Sequence, residues 1–152
     1  MTDDKVEMFT DSNGNIRWFK NGQTHRDDDL PASIYIDGTE RWYKNGQLHR
    51  DGDKPAVIYK NGTRIWYQNG KEHRDDDKPA AIYFDGTCKW FQNGELHRED
   101  DLPAVINKDG SKMWYTRDTL IKEVKFSPQP RKMRSLRLVD WTETETNVWE
   151  CL

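Results

Sequence analysis

The sequence has few hydrophobic residues, few cysteines and no long apolar run. Hydrophobic residues make up 34% of the 152 residues and charged residues another 34%, which argues against a deep globular core. The two cysteines, Cys88 and Cys151, are too few for a disulfide framework in a chain of this size. No apolar stretch approaches the length of a membrane span, and the opening MTDDKVEMF lacks both parts of a secretory signal. We therefore expect a soluble cytoplasmic protein, or a virion component if the source is a virus.

Charge and motifs argue against nucleic-acid binding and against catalysis. The formal net charge is −3, and the sequence has no basic stripe of the kind that nucleic-acid binders need. It also lacks a glycine-rich phosphate loop, a Gly-x-Ser-x-Gly elbow and a Cys-x-x-Cys pair. We expect a protein that is not an enzyme, uses no cofactor and binds no nucleic acid.

The chain is instead dominated by one repeat of 24 residues. The clearest copies run from Arg41 to Gly62 and from Ile65 to Gly86. Five tryptophans and all four histidines keep this period: Trp18, Trp42, Trp66, Trp90 and Trp114, and His25, His49, His73 and His97. A fixed period in this range predicts a repeat array, in which each unit buries its apolar face against its neighbours.

Each unit carries two hairpin signals. Asn-Gly or Asp-Gly pairs occur at 13–14, 37–38, 61–62, 85–86 and 109–110, and further Asn-Gly pairs at 21–22, 45–46, 69–70 and 93–94. Both dipeptides accept the positive φ angles of tight turns, and the segments between them are rich in β-formers. We predict an all-β fold, an elongated antiparallel meander of β-hairpin repeats that gains two or three strands per unit. In the middle unit the predicted return strand runs without a break over 63–67.

The second turn of each unit predicts a register. If the turn at 69–70 has two residues, Tyr67 faces Glu72 and Trp66 faces His73 across it. Because successive side chains of a strand point to opposite faces, the adjacent Trp and Tyr or Phe of each unit predict aromatic side chains on both faces. We expect one set to form an internal seam and the other to stay partly open for a partner.

The repeat resembles a known family. The pattern Trp-x-x-Asn-Gly-x-x-His, followed by an extended stretch and Asp-Gly-Thr, is similar to a divergent MORN-type repeat over residues 9–115. Comparable variants are common in uncharacterised proteins of large DNA viruses and some bacteria. The resemblance implies successive β-hairpins and a role in scaffolding, protein binding or phospholipid association, without catalysis by the repeats.

The chain departs from this family after the histidine. Family units usually continue with Gly, whereas here Arg follows the histidine in every unit: Arg26, Arg50, Arg74 and Arg98. An acidic loop and a Pro-Ala pair come next. The departure weakens the phospholipid inference most, because a headgroup site needs exposed basic residues.

The four histidines are candidates for structural positions rather than metal ligands. A zinc site needs three or four ligands within about 2.3 Å of one ion. Equivalent positions of successive units are instead displaced by a whole unit, roughly 10–14 Å if the strands stack at the usual spacing. We expect each histidine to pair with the tryptophan of its own unit, and we expect no metal site.

The acidic loops at 27–29, 51–53, 75–77 and 99–101 are the main charged feature. Carboxylates at this spacing can hold Ca²⁺ when loop carbonyls help. However, an Arg precedes each loop and a Lys follows two of them, so local neutralisation is the simpler interpretation. The third position is always Asp and the middle one is Gly in one unit, which indicates that only the outer carboxylates have a fixed role. We also expect an Asp side chain to close each loop by accepting backbone N–H bonds.

The repeat pattern ends before the chain does. The fifth unit loses its Asn-Gly turn and its histidine after Tyr115, and a Pro-Gln-Pro linker follows Ser127. We therefore divide the chain into a repeat array over 1–126 and a C-terminal segment over 127–152, whose conformation the pattern leaves open. Its apolar residues are candidates for assembly: Leu138, Trp141, Val148, Trp149 and Leu152.

Open sheet edges pair with other chains unless they are covered. Two alternatives follow for the C-terminal segment, a cap on its own array or a contact with a second copy, and we favour the second. The functional hypothesis is a non-catalytic structural or protein-interaction module that forms a homodimer through this segment or a sheet edge. The alternatives are a peripheral phospholipid-binding repeat and, third, a Ca²⁺-stabilised array.

Overall fold

The computed structural model describes residues 5–127, and this part of the chain contains β-strands and no helix. The all-β prediction is confirmed. The first strands are β1 (Val6–Thr10), β2 (Ile16–Lys20), β3 (Gln23–Thr24), β4 (Ser33–Ile34), β5 (Glu40–Arg41), β6 (Tyr43–Lys44), β7 (Gln47–Leu48), β8 (Val57–Ile58) and β9 (Arg64–Ile65). The remaining strands are β10 (Tyr67–Gln68), β11 (Lys71–Glu72), β12 (Ala81–Ile82), β13 (Cys88–Lys89), β14 (Phe91–Gln92), β15 (Glu95–Leu96), β16 (Val105–Ile106), β17 (Lys112–Thr116) and β18 (Thr119–Val124).

One long antiparallel sheet contains 12 of these strands. Its order is β1-β2-β4-β5-β8-β9-β12-β13-β16-β17-β18, with β3 paired to β2 beside this path. Each 24-residue unit therefore adds two strands to the sheet. The predicted meander of hairpins is confirmed.

Each internal unit also forms a short hairpin outside the main sheet. These hairpins are β6–β7, β10–β11 and β14–β15. In β10–β11, Tyr67 lies opposite Glu72, and the His73 N–H donates to the Trp66 carbonyl at 3.2 Å. These two contacts confirm the predicted register. It arises because the Asn-Gly turn at 69–70 has positive φ at both residues, 51° and 79°.

The return strand predicted over 63–67 is broken at Trp66. Strand β9 ends at Ile65 in the main sheet, and β10 starts at Tyr67 in the short hairpin. The Trp66 N–H donates to the Ala80 carbonyl at 2.8 Å, and the residue before Ala80 is Pro79. Proline has no N–H with which to continue the ladder, so the two strands separate there.

In the first strand of the sheet, β1, no proline occupies this position, and the pairing is not interrupted. Glu7 stands 24 residues before Pro31 and keeps its N–H, and it pairs with Phe19. The ladder between β1 and β2 therefore continues without a break from Thr10 to Val6. At the far end β18 also lacks a proline, and β17 and β18 pair over their lengths with one irregularity at 114–115. The strands of the two outer hairpins, β1–β2 and β17–β18, are thus the long ones.

The fifth unit keeps its turn although its sequence has changed. Arg117 and Asp118 replace Asn-Gly and adopt the same left-handed angles, with φ of 46° and 61°. The Asp118 N–H donates to the Leu96 carbonyl at 3.1 Å. Gly94 makes the equivalent bond to Glu72 one unit earlier, so the spacing of the array extends to its last unit.

The core is thin and consists of small side chains beneath buried indoles. Trp42, Trp66 and Trp90 are only 6%, 6% and 4% exposed. Their backbone N–H groups donate to alanine carbonyls of the neighbouring strand, and these alanines are fully buried: Ala56, Ala80 and Ala104. The low apolar content of the sequence therefore suffices, because each unit buries one large ring against its neighbour.

Candidate functional site

The recurring polar site of this protein joins each acidic loop to the next unit. Asp53, the third residue of its loop, accepts hydrogen bonds at its backbone carbonyl and at its carboxylate from residues 13 and 21 positions later. Its backbone carbonyl accepts the Trp66 Nε1–H at 3.1 Å. Its carboxylate accepts two bonds from Arg74, from Nε at 2.6 Å and Nη2 at 3.2 Å. We call the three donors of Trp66 and Arg74, and their equivalents in other units, the aspartate socket.

The socket is repeated with nearly constant geometry. Trp42 and Arg50 hold Asp29, and Trp90 and Arg98 hold Asp77. The guanidinium carbon lies 3.8–4.0 Å from the centre of the tryptophan ring of its own unit in Arg50, Arg74 and Arg98. In the same three arginines Nη1 donates to a proline carbonyl five residues later at 3.3 Å. The stacking and this bond orient the guanidinium group independently of its contact with the carboxylate.

The backbone of the acidic loop explains its composition. In the second unit Gly52 and Asp53 have φ of 77° and 53°, and in the third Asp76 and Asp77 have 61° and 51°. Left-handed angles are tolerated by Gly and, among other residues, best by Asn and Asp. The middle position is Gly in one unit and Asp in the other three for this conformational reason, and most bonds to cations are made by the outer carboxylates, with Lys78–Asp76 as an exception.

The prediction of local neutralisation within each loop is wrong in one respect. The Arg that precedes a loop binds the aspartate of the previous unit, 21 residues earlier. Lys54 and Lys78 likewise reach back 25 residues, to Asp29 and Asp53. The third aspartate of a loop is therefore paired across the boundary between units, whereas the pairs Lys20–Asp27, Lys44–Asp51 and Lys78–Asp76 lie within one unit.

The ion pairs change the acidity of the carboxyl groups. Hydrogen bonds from Arg74 lower the pKa of Asp53 to about 2, although partial desolvation acts in the opposite direction. Arg50 and Lys54 together hold the pKa of Asp29 well below its usual range. These aspartates are thus ionised at neutral pH, as the socket requires.

Each histidine in the first three units bridges two groups. His73 Nε2 lies 3.0 Å from the Asp75 carboxylate, and Nδ1 accepts the backbone N–H of Asn93 at 3.1 Å. An Nδ1 that accepts is unprotonated, so the Nε2–H tautomer donates to Asp75. His25 and His49 make the same contacts. In the fourth unit His97 Nδ1 is buried without a partner among the described residues.

Shallow grooves lie between successive acidic loops. One groove, of about 350 Å³, spans the first two loops between His25 and Lys54, and another, of about 260 Å³, lies between His49 and Asp76. Both are lined by side chains of the socket contacts and the histidine bridges. Within residues 5–127 no group of three or more His, Cys, Asp or Glu is arranged to hold a metal ion.

The sequence pattern identified the tryptophans and histidines, but it did not identify the aspartates that the arginines bind. The signal was present, because an Asp stands 21 residues before Arg50, Arg74 and Arg98 but not before Arg26. The tryptophans predicted as repeat positions are buried in the three middle units and half-buried at Trp18 and Trp114. The predicted assembly residues lie outside the described residues: Leu138, Trp141, Val148, Trp149 and Leu152.

A second candidate surface is formed by the two outer strands. Strand β1 exposes Val6, Met8 and Phe9, and β18 exposes Leu120, Ile121 and Val124. Within the described part of the chain, each of these strands has a neighbouring strand on one side only. Such edges pair with other strands.

Comparison with known proteins does not assign the chain to a family. No protein-family model matches the sequence, and no curated protein is significantly similar to it. Across residues 5–127 the structure contains no helix that is long and apolar enough to cross a membrane.

Proposed function

We propose that this protein is a non-catalytic structural module that binds other proteins, including a second copy of itself, through its outer strands. The observation that carries the proposal is the pair of outer strands, which expose apolar side chains along edges that no other strand of residues 5–127 covers. Strand addition to such an edge gains main-chain hydrogen bonds, and the exposed side chains give specificity. We also propose that the units are divergent MORN-type repeats.

The direction of the strands favours a closed dimer. All ten successive pairings from β1 to β18 are antiparallel, so β1 and β18 run in the same direction. Joining the β18 edge of one copy to the β1 edge of the next by translation would create a parallel pair. An antiparallel continuation instead pairs like with like about a two-fold axis, which is the commonest symmetry of soluble oligomers.

We propose the β18 edge as the dimer contact, supported by the C-terminal segment. Leu120, Ile121, Val124 and Phe126 are all exposed along this end of the sheet. The segment 127–152 follows directly and carries the tryptophans Trp141 and Trp149. Apolar surface of this size is favourably removed from water by a second copy.

The solution mass tests this proposal. Light scattering with size-exclusion chromatography would be run on the full chain, on a chain ending at Ser127, and on Ile121→Lys. We expect a dimer for the full chain and a monomer for Ile121→Lys, because a charge at the centre of the edge opposes its burial. Phe84→Lys is the matched control: Phe84 is equally exposed, at 69% against 64%, but lies on a turn away from the edge.

Different results would redirect the proposal. A full chain that stays monomeric at high concentration would remove self-association. A Phe84→Lys variant that also becomes monomeric would remove the edge as the contact. A truncated chain that remains dimeric would assign the contact to β18 alone and leave the segment 127–152 without a part in it.

The two alternatives receive less support from the geometry. Arg50, Arg74 and Arg98 are bound to aspartates, so fewer cations are left for an anionic lipid headgroup. The same pairs engage one outer carboxylate of three loops, which opposes Ca²⁺ coordination there. Flotation with anionic vesicles and the effect of EDTA on the melting temperature would test them. We propose the cytoplasm, or a virion if the source is viral, as the location.

A further inference from the structure

The first unit of the array contains the donors of an aspartate socket, and no aspartate of residues 5–127 fills it. Trp18 and Arg26 repeat the stacked pair of the later units, with the guanidinium carbon 3.9 Å from the ring centre. Arg26 Nη1 donates to the Pro31 carbonyl at 3.2 Å. These two contacts fix the fork of Arg26 as they fix those of Arg50, Arg74 and Arg98.

The residue that would fill this socket is replaced in the sequence. The bound aspartate stands 21 residues before its arginine in each later socket, and 21 residues before Arg26 the chain has Lys5. Among residues 5–127 no acceptor lies within hydrogen-bond distance of Trp18 Nε1, Arg26 Nε or Arg26 Nη2. Three N–H donors thus keep the geometry of the socket without an acceptor in the described chain.

The flanking position differs from two of the three later sockets and matches the last one, in which Leu102 stands four residues after Arg98. Lys54 and Lys78 add a second cation to Asp29 and Asp53, whereas the equivalent residue of the first unit is Leu30, which is 43% exposed. The first socket therefore offers one fixed guanidinium beside an exposed apolar side chain.

We propose that Trp18 and Arg26 form a binding site for an aspartate in an acidic loop of another protein chain. The carboxylate accepts two bonds from the arginine fork, and the backbone carbonyl of the same aspartate accepts the indole N–H. The inner sockets are the template, since each recognises both groups of one aspartate at once. The proposal deepens the protein-binding function and rests on it for the nature of the partner.

The requirement for both groups gives the site its selectivity. A glutamate carries its carboxylate one methylene farther from the backbone. Its carboxylate is therefore misplaced relative to the guanidinium when its backbone carbonyl accepts the indole N–H. A free carboxylate such as acetate satisfies the arginine alone. Asparagine keeps the carbonyl contact but loses the charge, and hydrogen bonds to charged groups are the stronger ones.

The test uses the full chain and a peptide copied from an inner loop. The probe is an acetylated, amidated peptide of residues 75–82, in which Asp77 is the residue that the inner socket binds. Nitrogen-15 NMR spectra would follow the indole Nε1–H of Trp18 and the Nε–H of Arg26 during the titration. Trp18→Phe identifies the indole signal among the seven tryptophans of the chain.

We expect both signals to shift and saturate, and the shifts to be weaker with altered partners. Peptides with Asp77→Asn or Asp77→Glu should bind about tenfold more weakly. Arg26→Lys keeps the charge but not the fork and should weaken binding by a similar factor. Arg64→Lys, an exposed arginine on β9 outside the socket, is the matched control and should bind as the unaltered chain does.

Three outcomes would overturn the site. The Trp18 and Arg26 signals would not move with the peptide, or they would move equally with the Asn and Asp peptides, or Arg26→Lys would bind as tightly as the original chain. The mass of the Arg26→Lys variant separates this proposal from the dimer. If the chain is a dimer but does not bind the peptide, the edge contact is supported and the Trp18–Arg26 site is refuted. If the chain is a monomer that binds the peptide, the site is supported and the edge contact is refuted.

Discussion

Asp53 and Arg74 lie 21 residues apart and form a two-bond ion pair across the boundary between units. The arginine is simultaneously stacked on Trp66, at 3.9 Å from the ring centre. One residue therefore joins a ring of its own unit to a carboxylate of the previous one. The stability of the array depends on this contact, which leads to four predictions.

Removing Arg74 should destabilise the protein more than removing Arg26. Arg74→Ala loses the stacking and a charge-assisted pair, and it leaves Asp53 without its main partner, at a cost of roughly 2–3 kcal/mol. Arg26→Ala loses the stacking and one bond to a carbonyl, at a cost of about 1 kcal/mol. Urea unfolding of both variants measures the difference. Equal costs would mean that the ion pair contributes nothing.

A tryptophan in the middle of the array should contribute more than one at its start. Trp66 is 6% exposed, and Trp66→Ala should cost about 3–5 kcal/mol, because it leaves a cavity and an unbound Asp53 carbonyl. Trp18 is half-buried and its indole N–H has no acceptor among the described residues, so Trp18→Ala should cost clearly less. Chemical denaturation of the two variants checks the order. The reverse order would contradict burial between neighbouring units.

Acid should weaken the contacts between units in a defined range. The pKa of Asp53 is about 2 in the folded chain, and an unperturbed aspartate has a pKa of about 3.9. Because the folded value is the lower one, the stabilisation is complete above about pH 4 and is lost as the pH falls through about 2. Melting temperatures measured between pH 5 and pH 2 should decline over this interval. Asp53→Asn should make the melting temperature depend less on pH in this range. An unchanged dependence would mean that the Asp53 ion pair does not contribute to stability.

The middle of the acidic loop should tolerate Asp but not a β-branched residue. Gly52 has a φ of 77°, and Asp28 and Asp76 occupy the equivalent position at 60° and 61°. Gly52→Asp should therefore change the unfolding free energy by less than about 1 kcal/mol, whereas Gly52→Val should cost roughly 1–2 kcal/mol or more. Thermal melts of the pair provide the comparison. Similar melting temperatures would mean that the loop adopts another conformation in solution.

The parts of the fold that depend on local sequence could be predicted. The Asn-Gly turns specify left-handed angles at two successive residues, so the register that places Tyr67 opposite Glu72 followed from the turn alone. The break at Trp66 could not be read in the same way. Its cause is Pro79, which stands 13 residues away and acts only because the two segments are neighbours in the sheet.

The candidate site was missed for a related reason. Adjacent charges such as Arg74 and Asp75 suggested a pair within one loop, whereas the arginine binds Asp53 of the previous unit. Short separation in sequence is a poor guide here, because the loop directs the arginine side chain back across the boundary between units. The stacking on Trp66 then decides where the fork points.

The socket also gives the array an order in time. Every bound aspartate precedes its arginine by 21 residues, so a loop emerging from the ribosome has no partner until almost one further unit has been made. Each of Asp29, Asp53 and Asp77 therefore gains its arginine only when the following unit has been synthesised. The ion pairs between units thus form about one unit behind synthesis.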